Sequence, residues 1–509
     1  MFAQRYLLIF AVIAPTVMSM LMSTSVNVSV PAMAGTLGVT PDQISWVITS
    51  YMVAMSIALP LTGYVTDRIG RRNFLLIAIA GFVLSSWLCG LASGLYEMVL
   101  LRVVQGVFAA PFVPLSRTIM VEAFPRNQVG RATAIWGMGV TAAPIVGPTL
   151  GGYLIEVFSW RWIFYINLPI ALLSFLLAMR YVPKGFTRER TLDWPGLVSL
   201  ALAVGALQFV LDRGEREDWF ESSSIAAAAV LAIIGFAIFL RLGLRARGNS
   251  ICDLTLFKDR NFTLGCLVMS ATGVGLFGGN YVQPLFLDNV LAYPAIAAGF
   301  VLMSRGVGSL FSMGIAGRLS DRMSAKWVAL PGAIVAVWGS WMMTGYNGQV
   351  AINDLFLPLF LQGAGMGLMF VPLSTLAFTT IPIEKAAEAS GIYSLVRSVT
   401  AAIGVSMTST FLARSSDVQW SALREYVNPF NPAVQDYVQP MNLPLGALQS
   451  SGQAIELLGR AVAAQARLTA FIDTFWFLTA SYAIMIPLLL MLRETPGRVR
   501  AAPLAQAAE

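Results

Sequence analysis

Fourteen apolar stretches, each long enough to cross a lipid bilayer, occupy most of this sequence of 509 residues. A helix that spans the hydrocarbon core needs about 20 consecutive, mostly apolar residues. The stretches lie approximately at residues 8–33, 43–66, 74–93, 96–121, 128–153, 162–181, 195–212, 222–243, 261–287, 295–317, 327–346, 355–381, 386–412 and 469–492. Only 12% of the residues are charged, whereas soluble domains carry about 25%. The chain is therefore predicted to be an all-α integral membrane protein with one transmembrane helix per stretch.

The basic residues between these stretches predict the orientation of the chain. Loops rich in Lys and Arg stay in the cytoplasm. If both termini are inside, the cytoplasmic segments hold 22 of the 33 Lys and Arg residues and the outer loops hold seven. The other four, Arg102, Arg117, Arg305 and Arg397, fall inside spans. Because an ionised group inside a bilayer is costly, these arginines are functional candidates.

The residue types available argue against several classes of protein. Histidine is absent, and the three cysteines are dispersed without CxxC or paired spacing. Such a chain offers little for a metal centre, a disulfide framework or a catalytic thiol. The sequence also has no GxxxxGK[ST] phosphate loop, which disfavours direct coupling to ATP. We therefore expect no enzyme activity, no metal and no cofactor, and we assign the basic loops to membrane topology, not to nucleic acid.

Three short motifs occur twice, each time on spans that are eight apart. The matching segments are residues 63–72 with 317–326, residues 105–106 with 362–363, and residues 140–143 with 399–402. Their offsets are 254, 257 and 259 residues. A constant shift of eight spans predicts two six-helix bundles with two extra helices inserted between them.

This repeat sets the expected domain boundaries. Residues 1–182 are the N-terminal bundle, residues 183–260 carry the inserted pair, and residues 261–509 are the C-terminal bundle. The last bundle includes a long outer loop at 413–468, in which apolar residues at helical spacing over 445–468 predict an amphipathic helix. Duplicated bundles are typical of alternating-access transporters, whose substrate site lies near the bilayer midplane.

Several stretches carry a resemblance to a known family. They are residues 63–72, 102–106, 147–152, 160–169 and 389–397, with 211–220 and 256–262. Through the first five, the chain resembles the major facilitator superfamily, and more closely its 14-span drug:proton antiporters of the EmrB/QacA type. The last two are most similar to the EmrB branch. One position departs from the family: Met22 stands where a carboxylate linked to proton or cationic-drug binding is common.

The resemblance implies a major facilitator fold and a proton-driven multidrug exporter that moves amphipathic organic compounds by alternating access. It also implies a bacterial inner membrane location, with a periplasmic adaptor and an outer-membrane channel as partners that dock on the 413–468 loop. Other functions stay open: a dedicated exporter of one endogenous metabolite such as a siderophore, a transport-incompetent scaffold that binds partners, and an ion-independent facilitator, which the loss of the usual acid at Met22 keeps in view.

The family pattern also points to residues that gate the pathway. The loop after span 2 clasps neighbouring helix ends in the outward-open state of the family, and the Gly-Pro signature of span 5 forms a kinked hinge. The gating candidates are accordingly Gly63, Asp67, Arg68, Gly70, Arg71, Gly147, Pro148, Gly151, Gly152, Asp321 and Arg322. The alternatives are a positive-inside loop without a gating role and simple close packing of small residues.

Polar, aromatic and methionine side chains on several spans are candidates for the substrate cavity. Methionine is flexible and polarizable, which suits surfaces that accept several ligands. The candidates are Met18, Met22, Asn27, Trp46, Tyr51, Gln105, Trp136, Asn280, Gln283 and Arg305. For any single Met or aromatic residue, packing against helices or lipid is the competing interpretation.

In a chain without histidine the proton carrier must be a carboxylate, and no acid can be placed securely in the middle of a span. The acids considered lie towards the span ends, and Arg102 is added because its charge would lower the pKa of a nearby carboxylate. The coupling candidates are Arg102, Glu156, Asp212, Asp473 and Glu122. Each acid has the alternative of a solvated interfacial group, and Arg102 has that of bonding backbone carbonyls.

Overall fold

The chain is helical throughout the part that the computed structural model describes. The described residues are 2–44, 46–124, 128–185, 187, 193–215, 217–245, 253–320, 322–378, 380–382, 385–427 and 452–492. In these ranges there are α-helices and short 3-10 turns but no β-strand. Helices satisfy their backbone hydrogen bonds internally, which lipid-exposed segments require.

The N-terminal half contains ten described helices. They are α1 Phe2–Leu37, α2 Pro41–Ile44, α3 Trp46–Ala58, α4 Leu61–Ile69, α5 Arg71–Leu91, α6 Leu95–Ala109, α7 Phe112–Ala123, α8 Val129–Val157, α9 Trp162–Tyr165 and α10 Asn167–Tyr181. Buried apolar side chains from Ala11 to Val182 share one core. The predicted spans 2, 4 and 6 are each built from two consecutive helices.

Nine described helices follow. They are α11 Trp194–Arg213, α12 Ser223–Arg245, α13 Arg260–Asn289, α14 Ala295–Ser320, α15 Ala325–Met343, α16 Ile352–Leu376, α17 Ala386–Glu425, α18 Gly452–Ala483 and α19 Met485–Met491. The main core of the C-terminal half runs from Phe262 to Leu492 and also takes in Leu200, Val204 and Phe239 of the two helices before it.

The two helices between the halves, α11 and α12, pack against each other and bridge the seam. α11 contacts α3 of the N-terminal half and α17 of the C-terminal half. Trp46 of α3 stacks on Phe209 of α11, with ring centroids 6.2 Å apart. At Gly235 of α12 an added Cβ would lie 2.9 Å from the backbone nitrogen of Ala203, so the glycine permits the close approach of α11.

Length and hydropathy identify 11 membrane-crossing helices among the described residues, or up to 13 if each bent pair counts as one span. The predicted eleventh span corresponds to α15, a helix of 19 residues that is not among them. A total of fourteen is compatible with these numbers and stays a prediction.

Two spans are bent. α3 and α4 meet at 58° around Leu59 and Pro60, where proline cannot supply the amide N–H of a continuous helix. α8 bends by 42° between its segments Gly130–Pro144 and Thr149–Val157. The second bend includes Gly147 and Pro148 of the Gly-Pro signature of span 5.

The first part of the region expected to be an outer loop, residues 413–425, is helical instead. α17 continues to Glu425 and α18 already begins at Gly452, so only 428–451 of the loop lies outside the described residues. At 1.5 Å per residue, the 40 residues of α17 extend about 60 Å, roughly twice the hydrocarbon thickness. The stretch 413–425 contains no Gly or Pro, and Ser415 and Gln419 donate to Asp473 of α18 at 2.7 and 3.0 Å. These bonds help to stabilise helical structure where hydropathy alone predicted a loop.

Candidate functional site

Arg102 of α6 belongs to a buried polar cluster in the N-terminal half. Its side chain is 1% exposed. The Nε atom donates to the Val47 carbonyl at 3.0 Å, and a terminal nitrogen donates to Oε1 of Gln105 at 2.6 Å. The guanidinium also lies 4.1 Å from the centroid of the Tyr51 ring. These partners are uncharged, so the cluster places a positive charge inside a membrane span, where it requires such contacts.

Gln105 connects this cluster to two more helices. Its Nε2 donates to Oγ of Ser86 on α5 at 2.6 Å and lies 3.1 Å from Sδ of Met22 on α1. The glutamine is fully buried. The amide of Gln105 therefore connects α6 with α1 and α5, and through Arg102 also with α3.

A matching cluster surrounds Gln362 of α16 in the C-terminal half. Its Nε2 donates to Oγ of Ser340 on α15 at 2.8 Å, and its Oε1 accepts from Nε2 of Gln283 on α13 at 2.8 Å. Arg305 of α14 donates to Oε1 of Gln283 at 2.7 Å and to Oδ1 of Asn280. Gln283 is buried, whereas Asn280 is exposed.

The two clusters correspond through the sequence repeat at three positions. With the offsets of 254 and 257 residues, the equivalent pairs are Tyr51 with Arg305, Ser86 with Ser340, and Gln105 with Gln362. Each half thus contributes one arginine, but from a different helix, because Leu359 occupies the place of Arg102. Sequence reasoning missed the two serines, although the 254-residue offset of the loop motif carried the signal.

The remaining cavity candidates lie apart from these clusters. Met18 is buried in the N-terminal core and Asn27 is exposed on α1. Trp46 packs on the inserted helix α11. Trp136 is buried at the seam, and its Nε1 donates to Oγ of Ser116 at 2.8 Å. The structure therefore brings together Met22, Tyr51 and Gln105 in one group and Asn280, Gln283 and Arg305 in another.

The halves touch directly near the end that bears the 67–72 loop. Arg117 of α7 donates to the Ser374 carbonyl of α16. Trp136 of α8 stacks on Phe370 of α16, with centroids 6.1 Å apart and planes 16° apart. Cation, carbonyl and ring contacts thus join the two halves across the seam.

Two glycines permit the closest approach of the halves at this end. A Cβ on Gly63 of α4 would lie 3.2 Å from Cα of Glu388 on α17. A Cβ on Gly317 of α14 would lie 3.1 Å from the Gly130 carbonyl oxygen of α8. The pairs α4 with α17 and α14 with α8 therefore close this end of the molecule.

The loop between α4 and α5 is tied to neighbouring helices. Gly70 has a φ of 79°, and a Cβ there would lie 2.7 Å from the Lys184 carbonyl oxygen. Arg71 forms an ion pair with Glu122 of α7. Arg68 donates to the Tyr64 hydroxyl at 2.5 Å. The gating candidate Arg71 and the coupling candidate Glu122 are thus in direct contact.

The aspartate and arginine positions of the repeated loop motif differ in exposure. Asp67 is half-buried near the end of α4. Arg322, in the repeated motif, is exposed, and Asp321 lies outside the described residues.

The span 5 glycines face α1 of their own half. Oγ of Ser25 donates to the Gly147 carbonyl at 2.7 Å, and a Cβ on Gly151 would lie 3.0 Å from Cα of Ser25. A Cβ on Gly152 would meet nothing within 4 Å. The side chain of Pro148 lies outside the described residues. Any hinge motion at Gly147 and Gly151 therefore involves the contact between α8 and α1.

A second ion pair holds the inserted segment at the closed end. Lys385 pairs with Asp253, and Oε1 of Glu388 accepts from the backbone N–H of Asp253 at 2.7 Å. Burial raises the pKa of Asp253, but hydrogen bonds from Lys385 and Thr255 outweigh it and hold the pKa below its usual value. The start of α17 is thus anchored to the segment that leads from α12 to α13.

Three coupling candidates lie towards the opposite end of the helices. Asp212, near the end of α11, accepts from Oγ1 of Thr49 on α3 at 2.7 Å. Asp473 of α18 accepts hydrogen bonds from Ser415 and Gln419 of α17. Glu156 is exposed near the end of α8. The structure does not bring these acids together with Arg102.

Fold and site define a polytopic helical membrane protein whose repeated halves each hold a cluster of arginine and glutamine side chains and close against each other at one end. A family model described as Major Facilitator Superfamily matches residues 13–405. The multidrug export protein EmrB of Escherichia coli (strain K12) is 34% identical over 490 residues, 96% of this chain and 95% of that protein. EmrB of Haemophilus influenzae is 34% identical over 439 residues, 86% of each chain.

The chain belongs to the major facilitator superfamily and, within it, to the EmrB branch. The structure of the proton:xylose symporter XylE matches with a TM-score of 0.62 at 14% identity, over 97% of both chains. This likeness concerns the fold alone. The predicted family and the predicted major facilitator fold are both confirmed.

Proposed function

We propose that this protein is a proton-driven multidrug exporter that moves amphipathic organic compounds out of the cell by alternating access. The observation that carries the proposal is the seam: two repeated halves, each with its own polar cluster, meet where α8 packs on α14 and where Arg117 and Trp136 contact α16. The 34% identity to a multidrug export protein over 96% of the chain supports the same activity.

Alternating access of the substrate site to the two sides of the membrane would take place by rotation of one half against the other. Opening the closed end requires the Arg117–Ser374 bond and the Trp136–Phe370 stack to separate. The clusters around Gln105 and Gln362 lie within single halves, so they can stay intact during the movement.

Inward proton flow would supply the energy, about 2.3 kcal/mol for each charge moved across 100 mV. Asp212 is our first candidate for the carrier because its hydrogen bond to Thr49 joins the inserted helix to the N-terminal half. Glu156, Asp473, Glu122 and Arg102 are the other positions proposed for coupling.

The proposed location is a bacterial inner membrane with both termini in the cytoplasm, which places the closed end inside. The proposed partners are a periplasmic adaptor and an outer-membrane channel. The extensions of α17 and α18 beyond the length of a single span are the proposed docking site, because they lie at the outer end in this orientation.

Purified protein in proteoliposomes tests the proposal. Adding an amphipathic substrate should release protons from wild-type vesicles, and Asp212→Asn should abolish that release. Asp354→Asn, which changes an exposed acid at the start of α16, is the matched control and should behave as wild type. Absence of substrate-driven proton movement in wild type would refute proton-coupled export. Unchanged movement in Asp212→Asn, Glu156→Gln and Arg102→Ala would refute the coupling assignment.

A further inference from the structure

A cavity of about 530 Å³ lies between three elements of the C-terminal half. It is bordered by the end of α13, the loop between α15 and α16, and residues 460–468 of α18. α13 begins beside the anchored segment at the closed end of the molecule and ends at Asn289. The cavity is therefore at the opposite end. Its volume is within the range of about 300–1,000 Å³ that is typical of ligand sites.

The three elements reach the cavity where their apolar stretches end. Asn289 follows the predicted ninth span by two residues, Gly348 follows the eleventh by two, and Arg467 precedes the fourteenth by two. A helix leaves the hydrocarbon core at the end of its apolar stretch and enters the headgroup layer there. The cavity is therefore expected at the level of the lipid headgroups.

The helices that border the cavity also face lipid. α15 and α18 pack against each other, and each exposes tryptophan. Trp338 and Trp341 of α15 and Trp476 of α18 are about half exposed. Exposed apolar side chains of spanning helices lie against acyl chains, and tryptophan is enriched near the interface. Lipid can therefore reach the cavity from the periphery of the C-terminal half.

The lining of the cavity is positively charged. Arg460 and Arg467 are both exposed, and none of the lining residues that the structure describes is acidic. Over the described part of the chain, no hydrogen bond or ion pair is found for the guanidinium of Arg467. Guanidinium groups bind phosphate through paired, charge-assisted hydrogen bonds. The lining offers no carboxylate for the ammonium or choline of a zwitterionic headgroup, so it fits an anionic headgroup better.

We propose that this cavity binds an anionic phospholipid of the phosphatidylglycerol type, with Arg467 paired to its phosphate. The amides of Asn289 and Gln465 contact the glycerol of the headgroup, and Val290 and Leu468 contact the first part of the acyl chains. A lipid held in this way joins α13, the loop between α15 and α16, and α18 at one end of the C-terminal half. The site is independent of the compound that the protein exports.

Photocrosslinking of the whole protein in phosphatidylcholine nanodiscs tests the site. The probe is phosphatidylglycerol with a diazirine near the start of one acyl chain, at a fraction too small to saturate the site, and phosphatidylcholine with the same diazirine is the reference. The readout is the yield of lipid adducts on peptic peptides that cover residues 460–468, measured by mass spectrometry. Wild type should give about tenfold more adduct with phosphatidylglycerol, as one charge-assisted hydrogen bond predicts.

Variants of exposed arginines connect this preference to Arg467. Arg467→Gln should bring the two yields to the same level, and Arg467→Lys, which keeps a charge without the paired geometry, should give an intermediate preference. Arg414→Gln is the matched control, because Arg414 is exposed, follows the predicted thirteenth span by two residues and does not line the cavity. Equal yields in wild type would overturn the proposal, as would a wild-type preference in Arg467→Gln.

A soluble competitor distinguishes a lipid from a free phosphate compound. Glycerophosphoglycerol is the same headgroup without acyl chains, and at millimolar concentration it should leave the adduct yield unchanged. If it abolishes the adducts, the cavity binds soluble phosphodiesters and the assignment to a lipid is wrong. The yield does not depend on transport, so a failure of the proposed export function would leave this result unchanged.

Discussion

The contact between Gly106 of α6 and α3 offers a sharp test of how the N-terminal half is built. A Cβ on Gly106 would lie 2.5 Å from the Tyr51 carbonyl oxygen and 3.2 Å from the Met55 backbone nitrogen. Both are backbone atoms, which cannot rotate away. Ordinary contacts begin at 3.4 Å, so α3 and α6 would have to separate by 0.9 Å (3.4 less 2.5 Å).

That separation would also break a polar contact. The bond from Arg102 to Val47 is 3.0 Å long, and moving α3 away by the same amount takes it beyond hydrogen-bond distance. Overpacking costs about 1–3 kcal/mol, and the lost bond of a charged donor costs about 1.5–3 kcal/mol. Better helix propensity returns about 1 kcal/mol. We expect Gly106→Ala to lower the free energy of unfolding by about 1.5–5 kcal/mol.

Thermal unfolding followed with a thiol-reactive dye measures the effect locally. Cys89 is buried in the N-terminal half and Cys266 in the C-terminal half, so a variant that keeps only Cys89 reports on the half that carries Gly106. Gly152→Ala is the matched control, since its Cβ would meet nothing within 4 Å. Equal midpoints for Gly106→Ala and Gly152→Ala would refute the reasoning.

Three more predictions concern polar contacts. Arg102→Ala should destabilise the protein because the partners left unsatisfied cost about 1–3 kcal/mol each, and a midpoint of thermal unfolding equal to that of wild type would contradict this. Arg71→Glu should impair transport because it breaks the ion pair with Glu122. The double variant Arg71→Glu with Glu122→Arg restores opposite charges and should recover transport. A double variant as impaired as Arg71→Glu would exclude a role for the pair. Asp253→Asn should lose stability at neutral pH. The pKa of Asp253 is lowered in the folded protein. Its contribution to the free energy of unfolding is therefore full above the unfolded pKa of about 4 and is lost as pH falls through the folded pKa. The midpoints of thermal unfolding of wild type and variant should converge in acid, and a difference that stays constant with pH would contradict the prediction.

The two arginines, Arg102 and Arg305, show what an internal sequence repeat can and cannot predict. Residue offsets identify Gln105 with Gln362 and thereby the equivalent helices. The sequence also places the two cations on non-equivalent helices, but it does not tell that both reach a glutamine, Arg102 reaching Gln105 and Arg305 reaching Gln283. Side-chain reach decides this, since a guanidinium can approach the same place from either neighbouring helix.

The extension of α17 shows the limit of hydropathy in the same way. A window average detects the part of a helix that lipid surrounds and ends where polar residues begin. The bonds from Ser415 and Gln419 to Asp473 support the helix beyond that point. Such contacts join residues more than fifty positions apart and have no local signal.

Hydropathy, charge and repeated motifs predicted an all-helical membrane protein with a two-part plan, because the bilayer dictates span length and the repeat dictates equivalence. The family was predicted from the resemblance of several stretches to known members. Tertiary structure alone decided which polar groups meet. Asp212 bonds to Thr49 rather than approaching Arg102, and Arg117 with Arg397 shares a cavity although 280 residues separate them. Helix packing brings such groups together, and their distance in space does not depend on their distance along the chain.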